Sequence, residues 1–448
     1  MNLKPHGGDL SAIDFLDLLV LDVYGGLRHV TLPRGYVGPR LFAEGVGFDA
    51  SNFGFARVTS SDMVAIPDLE RAFVSEEGGQ RILHCLCDVR STEGEPFAQY
   101  PRAVARRALQ ALAERGVADG AKMLVELEFY VFQHVAYATD FAHSYYKLES
   151  PEGIGEHFYD QPRFGIHKGY HRLMPDDRYF SLRNQVVAQM GAIGIPVKYH
   201  HHEVGAAQLE IELDFMPLLE AADAVTLAKW IIRSVAGELG AFVTFMPKPI
   251  YKAAGNGMHV HQYLEKGGRS LFHGDALFGL SPLALHYTAG LLEHSLTGSL
   301  LALTNPSTNS YKRLVPGYEA PVNATFAMAS RAAAVRVPGY ARGEDVRIEY
   351  RTGDATANTY YMLSAMALAG LDGIGRGADP VALGFDRAEG ARSFPLSLDR
   401  VLDGLESDRE YLLPAFPPAL LDLWTKIKRE EAAYVYNAPT PQEYELYF

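Results

Sequence analysis

Four short segments of this sequence carry their charges at every second residue. In Leu124–Phe132, Glu126, Glu128 and Tyr130 alternate with Leu127, Phe129 and Val131. In Gln208–Leu213, Glu210 and Glu212 alternate with Leu209, Ile211 and Leu213, and Glu203 lies seven residues before Glu210. In Met258–Leu264, His259 and His261 flank Val260; in Val346–Arg351, Arg347, Glu349 and Arg351 alternate with Val346, Ile348 and Tyr350. Successive side chains of a strand point to opposite faces, so each segment predicts a strand with one apolar and one charged face. Any one of them is what an antiparallel sheet with a wet face produces. Together they differ in kind, because the charges are Glu, His and Arg rather than Lys, Thr and Ser. Glutamates two apart on a strand repel, and a cation between them makes the arrangement favourable. Oxygen-rich sites of this sort suit magnesium or manganese, with His259 a nitrogen ligand compatible with manganese. No cysteine cluster accompanies them, which disfavours zinc.

Arginines supply the second half of the pattern: Arg313, Arg331, Arg336, Arg347 and Arg351 fall close together, the first in the turn-rich run Asn305–Arg313. Guanidinium forks match carboxylate and phosphate oxygens, although a single arginine is more often a surface ion pair than a ligand. Metals on polyphosphate oxygens with arginines on the transferred group are what phosphoryl transfer needs. A Gly-x-x-x-x-Gly-Lys-Ser/Thr motif is missing, so ATP bound here would not sit in a P-loop.

These residues must be positioned by a large fold. The chain has 448 residues, 48% of them hydrophobic, 54 acidic and 41 basic, for a net charge of −13. Such a composition buries a sizeable core, and the acidic balance argues against nucleic acid or an anionic membrane as partner. No apolar run is long enough to span a bilayer and the first nine residues are polar, so the expectation is a soluble cytoplasmic protein. The two cysteines, Cys85 and Cys87, share a strand face and are expected to pack as small apolar groups in a reducing compartment. Leu16–Val23, Tyr24-Gly25-Gly26 and Leu27–Leu32 predict a hairpin; Ile82–Val89 predicts a further strand. Pro101 opens a helix with Val104, Ala105, Ala108, Leu109 and Leu112 on its apolar side. A domain boundary is placed there, with one domain over residues 1–95 and another over 96–448. Long helices are expected over Asp223–Leu239, Pro282–Leu301 and Tyr361–Leu371. Strands and helices do not alternate regularly, which favours α+β over a doubly wound sheet.

Over nearly its whole length the sequence resembles the bacterial type I glutamine synthetases. The resemblance is carried by Phe48-Asp49, Glu126-Leu127-Glu128-Phe129, His201-His202-Glu203-Val204 leading to Gln208-Leu209-Glu210, and Phe245-Met246-Pro247-Lys248-Pro249 leading to Gly257-Met258-His259-Val260-His261. The run Asn309–Val322 and the run Arg347–Arg351 complete it. The resemblance implies a small N-terminal β-grasp domain and a catalytic domain whose curved antiparallel sheet forms an open funnel flanked by helices. It also implies a homo-oligomer, a dodecamer of two stacked hexamers with active sites between subunits, using ATP and two or three Mg2+ or Mn2+ ions per site.

Roles follow residue by residue. Glu128, Glu203 and Glu210 match the ligands of a first metal, and Glu126, His259 and Glu349 those of a second. Arg313, Arg351 and Gly255 match groups that hold glutamate. Arg331, Arg336 and Arg347 match arginines on the nucleotide phosphates, with His261 nearby and Phe215 near the ribose or base. Glu319 matches a flap glutamate, and Asp49, from the adjacent subunit, matches the residue that binds and deprotonates ammonium beside Tyr170 and Glu203. The implied reaction makes glutamine from glutamate, ammonia and ATP through γ-glutamyl phosphate.

Three places depart from the family pattern: Phe48-Asp49-Ala50-Ser51-Asn52 in place of Phe-Asp-Gly-Ser-Ser, Ala254-Gly255-Asn256-Gly257 in place of Asn-Gly-Ser-Gly, and Arg351-Thr352-Gly353-Asp354 in place of Arg-x-Pro-Asp. They leave open a γ-glutamyl ligase that uses a primary amine or polyamine, or an acid other than glutamate. Retention of Asp49, Tyr170 and Glu319 favours ammonium, since a charged wall suits a small cation. A non-catalytic structural homologue would be expected to have lost metal ligands, and all six matching positions are intact. The family's adenylylation tyrosine has no counterpart in 375–394.

Overall fold

The structure, a computed structural model, describes residues 1–8, 10–55, 61–156 and 167–448. Its first part is a seven-stranded sheet of β1 (Leu3–Pro5), β2 (Phe15–Leu21), β3 (Leu27–Pro33), β4 (Val46–Asp49), β5 (Asp62–Pro67), β6 (Phe73–Glu77) and β7 (Gln80–Arg90), with the short helix α1 (Pro39–Glu44). The order β1-β6-β7-β2-β3 places β2 beside β7 in parallel, while β4 and β5 form a flap on β7. The expected hairpin is β2–β3, turned at Gly25 with a φ of 79°. Cys85 and Cys87 are both buried on β7, and burial pushes the Cys85 thiol up to about 12, so both pack as inert small groups.

The second sheet has ten strands: β8 (Gly120–Phe132), β11 (Val197–His202), β12 (Gln208–Leu213), β13 (Met216–Pro217), β14 (Phe242–Thr244), β15 (Met258–Lys266), β16 (Arg269–Ser270), β17 (Phe326–Met328), β18 (Val335–Val337) and β19 (Ile348–Tyr350). Its main path is β11-β12-β8-β15-β19-β18-β17. A separate hairpin, β9 (His134–Thr139) with β10 (Ser144–Glu149), projects from the end of β8. Every pairing in the large sheet is antiparallel, as expected, except β17 with β18 at its edge, which is parallel.

The helices that accompany this sheet among the described residues are α2 (Pro101–Glu114), α3 (Phe180–Ala192), α4 (Leu218–Glu238), α5 (Pro282–Thr297), α6 (Leu301–Thr304), α7 (Ser310–Arg313), α8 (Thr359–Arg376), α9 (Leu398–Ser407), α10 (Pro418–Tyr436) and α11 (Pro441–Tyr447). Four of them begin on proline at the first turn beyond an extended residue, where the missing N–H has no helical partner to lose. The expected helix 282–301 stops at Thr297. Gly298 adopts φ 92°, and a Cβ there would lie 2.8 Å from the Cα of Val401 on α9. α8 is buried almost all round; Asn358 caps it by accepting from the N–H groups of Tyr360 and Tyr361.

One buried arginine ties the two sheets together. Arg102, 1% exposed on α2, donates to Asp223 Oδ1 and Oδ2 on α4 at 3.2 and 3.1 Å. It also reaches Asp68 at 2.7 Å and Asp88 at 3.1 Å, both in the N-terminal part. The Tyr360 hydroxyl donates to Asp223 at 2.6 Å.

Candidate active site

β8 packs against α4, and β15 and β19 reach α5 and α8 through Gln262 and Tyr350, which leaves the charged side chains of these strands on the other face. The strands that carry these charges are buried on both faces, so the charged face is a cavity wall rather than an open wet surface. Register then decides which charges meet. β12 against β8 pairs Glu210 with Glu128 and Glu212 with Glu126. β15 against β8 pairs His259 with Glu126, and β15 against β19 pairs His261 with Glu349. β18 places Arg336 opposite Glu349, and β11 places His201 opposite Glu210 and Tyr199 opposite Glu212. Two rows of carboxylates and imidazoles thus cross the sheet, with arginines at one end.

That end is neutralised by the protein itself. Glu126 accepts from His259 Nδ1 at 2.7 Å and from His261 Nε2 at 2.9 Å. The other nitrogen of each ring faces a guanidinium, His259 Nε2 at 3.2 Å from Arg313 and His261 Nδ1 at 3.4 Å from Arg347, which fixes both tautomers. Glu349 accepts from Arg336 and Arg351, one on each oxygen. Burial alone would raise the Glu126 and Glu349 carboxyls; the imidazoles and, for Glu349, Arg351 outweigh it and hold both below the usual range.

The opposite end has no such compensation. Burial, then the charge of Glu128 and of each neighbour, pushes the Glu203 carboxyl well above the ordinary range; burial with Glu126 and Glu128 does the same to Glu210. Donor atoms lie within 4.8 Å of one another in the groups Glu126–His261–Glu349, His201–Glu203–Glu210 and Glu126–Glu210–Glu212. Glu212, 1% exposed, spends Oε1 on Lys198 at 2.5 Å, while Oε2 has no partner among the described residues. Buried carboxylates with unmet charge, oxygen donors in the majority and imidazole at the edge are the donor set of a hard divalent cation such as Mg2+ or Mn2+.

A cavity of about 720 Å³ opens over these rows. Of the residues expected from sequence, Glu126, Glu128, Tyr170, Glu203, Glu210, Gly255, His259, Arg313, Glu319, Arg331, Arg336, Glu349 and Arg351 line it. Gly255 sits where a Cβ would meet Pro247 O at 2.6 Å and Arg313 Cγ at 2.7 Å, so only glycine lets the wall approach Arg313 this closely. His261 and Arg347 lie one layer out, and Arg347 stacks over the rings of Phe215 and Tyr340, each at 5.5 Å. Arg331 crosses the cavity mouth to Tyr170, with the guanidinium 5.6 Å from that ring. Arg336 Nε is buried without a partner among the described residues, a donor directed to something the protein does not supply. Asp49 is not among the lining residues; it is exposed on β4, accepting from Ser51 N–H at 2.8 Å and Ser51 Oγ at 2.9 Å.

Some features went unread in the sequence. Arg313 is almost fully occupied, donating to the carbonyls of Thr352 at 2.7 Å, Gly353 at 3.2 Å and Arg351 at 3.1 Å, so it braces the loop that carries Arg351. His201 and Glu212 join the carboxylate groups; Glu212 was legible from its place two residues after Glu210, but His201 needed the register. A Ser75–His84–Asp17 chain also exists, with links of 2.8 and 3.0 Å. Ser75 is 0% exposed and the rings of Phe73 and Trp230 close over His84, so this chain is internal packing with no access for a substrate.

The catalytic-domain model of glutamine synthetase matches residues 98–447, and the glutamine synthetase beta-Grasp domain model matches residues 12–92. The chain belongs to the glutamine synthetase family. It is 37% identical to glutamine synthetase of Mycolicibacterium smegmatis over 97% of this chain and 96% of that one. It is 36% identical, over the same shares, to a 3-hydroxylaminophenol mutase of Cupriavidus pinatubonensis. The fold matches the Plasmodium falciparum glutamine synthetase with a TM-score of 0.90 at 24% identity, over 99% of this chain and 97% of that one. A GmaS/ADP complex matches with a TM-score of 0.81 at 28% identity over 97% of each chain. The α+β architecture expected from sequence is therefore that of the family, a β-grasp part followed by the ligase-family catalytic part. No helix among the described residues is long and apolar enough to cross a membrane.

Proposed function

We propose that this protein is an ATP-dependent carbon–nitrogen ligase that joins ammonia to the γ-carboxylate of glutamate, releasing ADP and phosphate. The observation that carries the reading is the polarity of the cavity: carboxylates with uncompensated charge along one side, and along the other a row of arginines in which Arg336 keeps a buried Nε donor unused. A nucleotide polyphosphate with its metals fits between two such walls.

Glu128, Glu203 and Glu210 would hold one divalent ion, and Glu126, His259 and Glu349 a second. When bound, these ions supply charge neutralisation and orientation of phosphate oxygens. The chain's own groups do the rest. Phe215, with Arg347 stacked on it, forms the nucleotide end beside His261. Arg331 and Arg336 stabilise charge on the transferred phosphoryl group. Arg351, braced by Arg313 from behind, and the bare wall at Gly255 orient the acid for attack on the γ-phosphorus, giving an acyl phosphate. Ammonium then loses a proton to a carboxylate before attack, a role for Asp49 of a neighbouring copy with Tyr170 and Glu203. Glu319, on the wall segment beside Tyr318, closes the cavity against water. Exposure of Asp49 away from its own chain's cavity supports a homo-oligomer with shared sites, on the plan of two stacked hexamers, in the cytoplasm.

A second reading, with a primary amine in place of ammonia, is favoured by the aromatic mouth of the cavity, where Tyr170, Tyr199 and Tyr340 offer apolar faces to an alkyl group. The mutase relative also indicates that activities diverge within the family at this identity. The two readings separate in one assay of amide and phosphate with ATP, manganese or magnesium, glutamate, and ammonium, methylamine, ethanolamine or a polyamine. The first predicts the highest kcat/KM with ammonium; turnover with an amine and none with ammonium would refute it.

A further inference from the structure

The wall segment that carries Glu319 is gripped by a lysine. Lys248 Nζ lies 3.6 Å from the ring centroid of Tyr318, well inside the ~6 Å over which a cation and an aromatic face attract. The lysine is itself fixed. Its backbone N–H donates to Asn309 Oδ1 at 2.6 Å and its carbonyl accepts from Asn309 Nδ2 at 3.2 Å. Nζ also donates to the carbonyl of Ala253, and prolines on both sides restrict the backbone.

One residue therefore connects the loop 245–257, which forms the cavity wall at Gly255, to the beginning of the run 309–320 through Asn309 and to its end through Tyr318. Beyond Tyr318, Glu319 has a φ of 60°, a left-handed conformation that a residue with a Cβ adopts only when its surroundings hold it there. The ring of His167 packs on Tyr318 at 5.7 Å between centroids.

We propose that Lys248 is a positioning residue: by gripping the Tyr318 ring it latches the segment Val315–Ala320 over the cavity and holds Glu319 in place while the acyl phosphate exists. The inference rests on the ligase reading above. Its consequence is chemical. An acyl phosphate can be attacked by the nitrogen nucleophile, giving amide and phosphate, or by water, giving back the acid and phosphate; a loosened latch shifts the balance to water. Burial, followed by the charge of Arg313, pushes the Lys248 ammonium down to about 8, in keeping with a cation partly removed from water.

The test uses the full-length assembled protein with Lys248→Met, Tyr318→Leu and Tyr318→Phe. Hydrogen exchange of the peptide covering 315–320 is followed by mass spectrometry, and phosphate released per amide formed is measured during turnover. Loss of a partly desolvated cation–π contact is expected to speed exchange roughly 5- to 30-fold in Lys248→Met and Tyr318→Leu. The same two variants should release clearly more phosphate than amide, while Tyr318→Phe, which keeps the ring, should behave as the wild type in both measurements. Unchanged exchange in Tyr318→Leu, or equal damage in Tyr318→Phe, overturns the latch; Tyr318→Leu decides the matter should Lys248→Met fail to fold. Faster exchange with phosphate and amide still equal overturns the claim that the latch protects the intermediate. Exchange needs no turnover, so a wild type that makes no amide would refute the ligase reading and leave the latch to be decided by exchange alone.

Discussion

Glutamine in place of Glu210 is expected to make the metal-free protein more stable and the enzyme inactive. Glu210 is 6% exposed and lies in one row with Glu128, close to Glu203 and Glu212. Without a cation, burial and these neighbours raise the carboxyls of Glu203 and Glu210 well above their ordinary range. For a group whose folded-state pKa is raised, the stabilising contribution is complete below the unfolded value and is lost as pH climbs through the folded one. The metal-free wild type should therefore lose stability as pH climbs above the ordinary carboxylate range, and Glu210→Gln, which removes one charge, should lose less. Divalent metal should reverse the order: it binds only the ionised native site, so it raises the wild-type unfolding midpoint increasingly towards pH 8 and leaves the variant nearly unmoved. Turnover should fall on the order of 10³-fold, as expected when charge stabilisation at the transferred group is lost. Thermal unfolding with and without Mn2+ at several pH values checks the claim. A variant less stable than the wild type without metal at pH 8, or equally stabilised by metal, would contradict it.

Replacing Arg102 by alanine should destabilise the fold by about 3–5 kcal/mol, the cost of leaving a buried carboxylate without its partner. Asp223 is 3% exposed, and burial already raises its carboxyl; Arg102 first, then Tyr360 and Arg71, oppose this. Since Asp68 and Asp88 come from the N-terminal part and Asp223 from the catalytic part, the loss should be felt at the junction. Urea unfolding of Arg102→Ala should show the drop, and limited proteolysis should cut first near residues 91–100. Arg102→Lys, which keeps one charge but not the fork, should fall between the two. A change below 1 kcal/mol in Arg102→Ala would mean that the cluster is held by packing alone.

Both predictions draw on features that differ in how far the sequence discloses them. The alternation of Glu126, Glu128, Glu210, His259, His261 and Glu349 with apolar residues places them on one face of their strands whatever the partners, because strand geometry is local. Which of them meet is set by register, and register depends on distant turns and bulges: β11 slips between Val197 and Tyr199, and that slip brings His201 opposite Glu210. Arg313 was legible as a cation near the site, but not as a brace, because the carbonyls it serves lie some forty residues away in the chain. The parallel pair β17–β18 and the break at Gly298 were missed for related reasons. One depends on how two short strands are joined, the other on the close approach of α9. The Lys248–Tyr318 contact crosses a still longer stretch of chain, between two motifs that the sequence gives separately.

The central claim is that the carboxylate and arginine walls of one cavity activate an acid by phosphorylation before nitrogen attacks. Oxygen transfer tests it directly. Glutamate labelled with 18O in the γ-carboxylate is supplied with unlabelled ATP, Mg2+ or Mn2+ and ammonium, and the phosphate formed is analysed by mass spectrometry. An acyl phosphate must hand one acid oxygen to phosphate when nitrogen displaces it, so one 18O per phosphate is expected for each amide made. Amide formation accompanied by unlabelled phosphate would contradict the account.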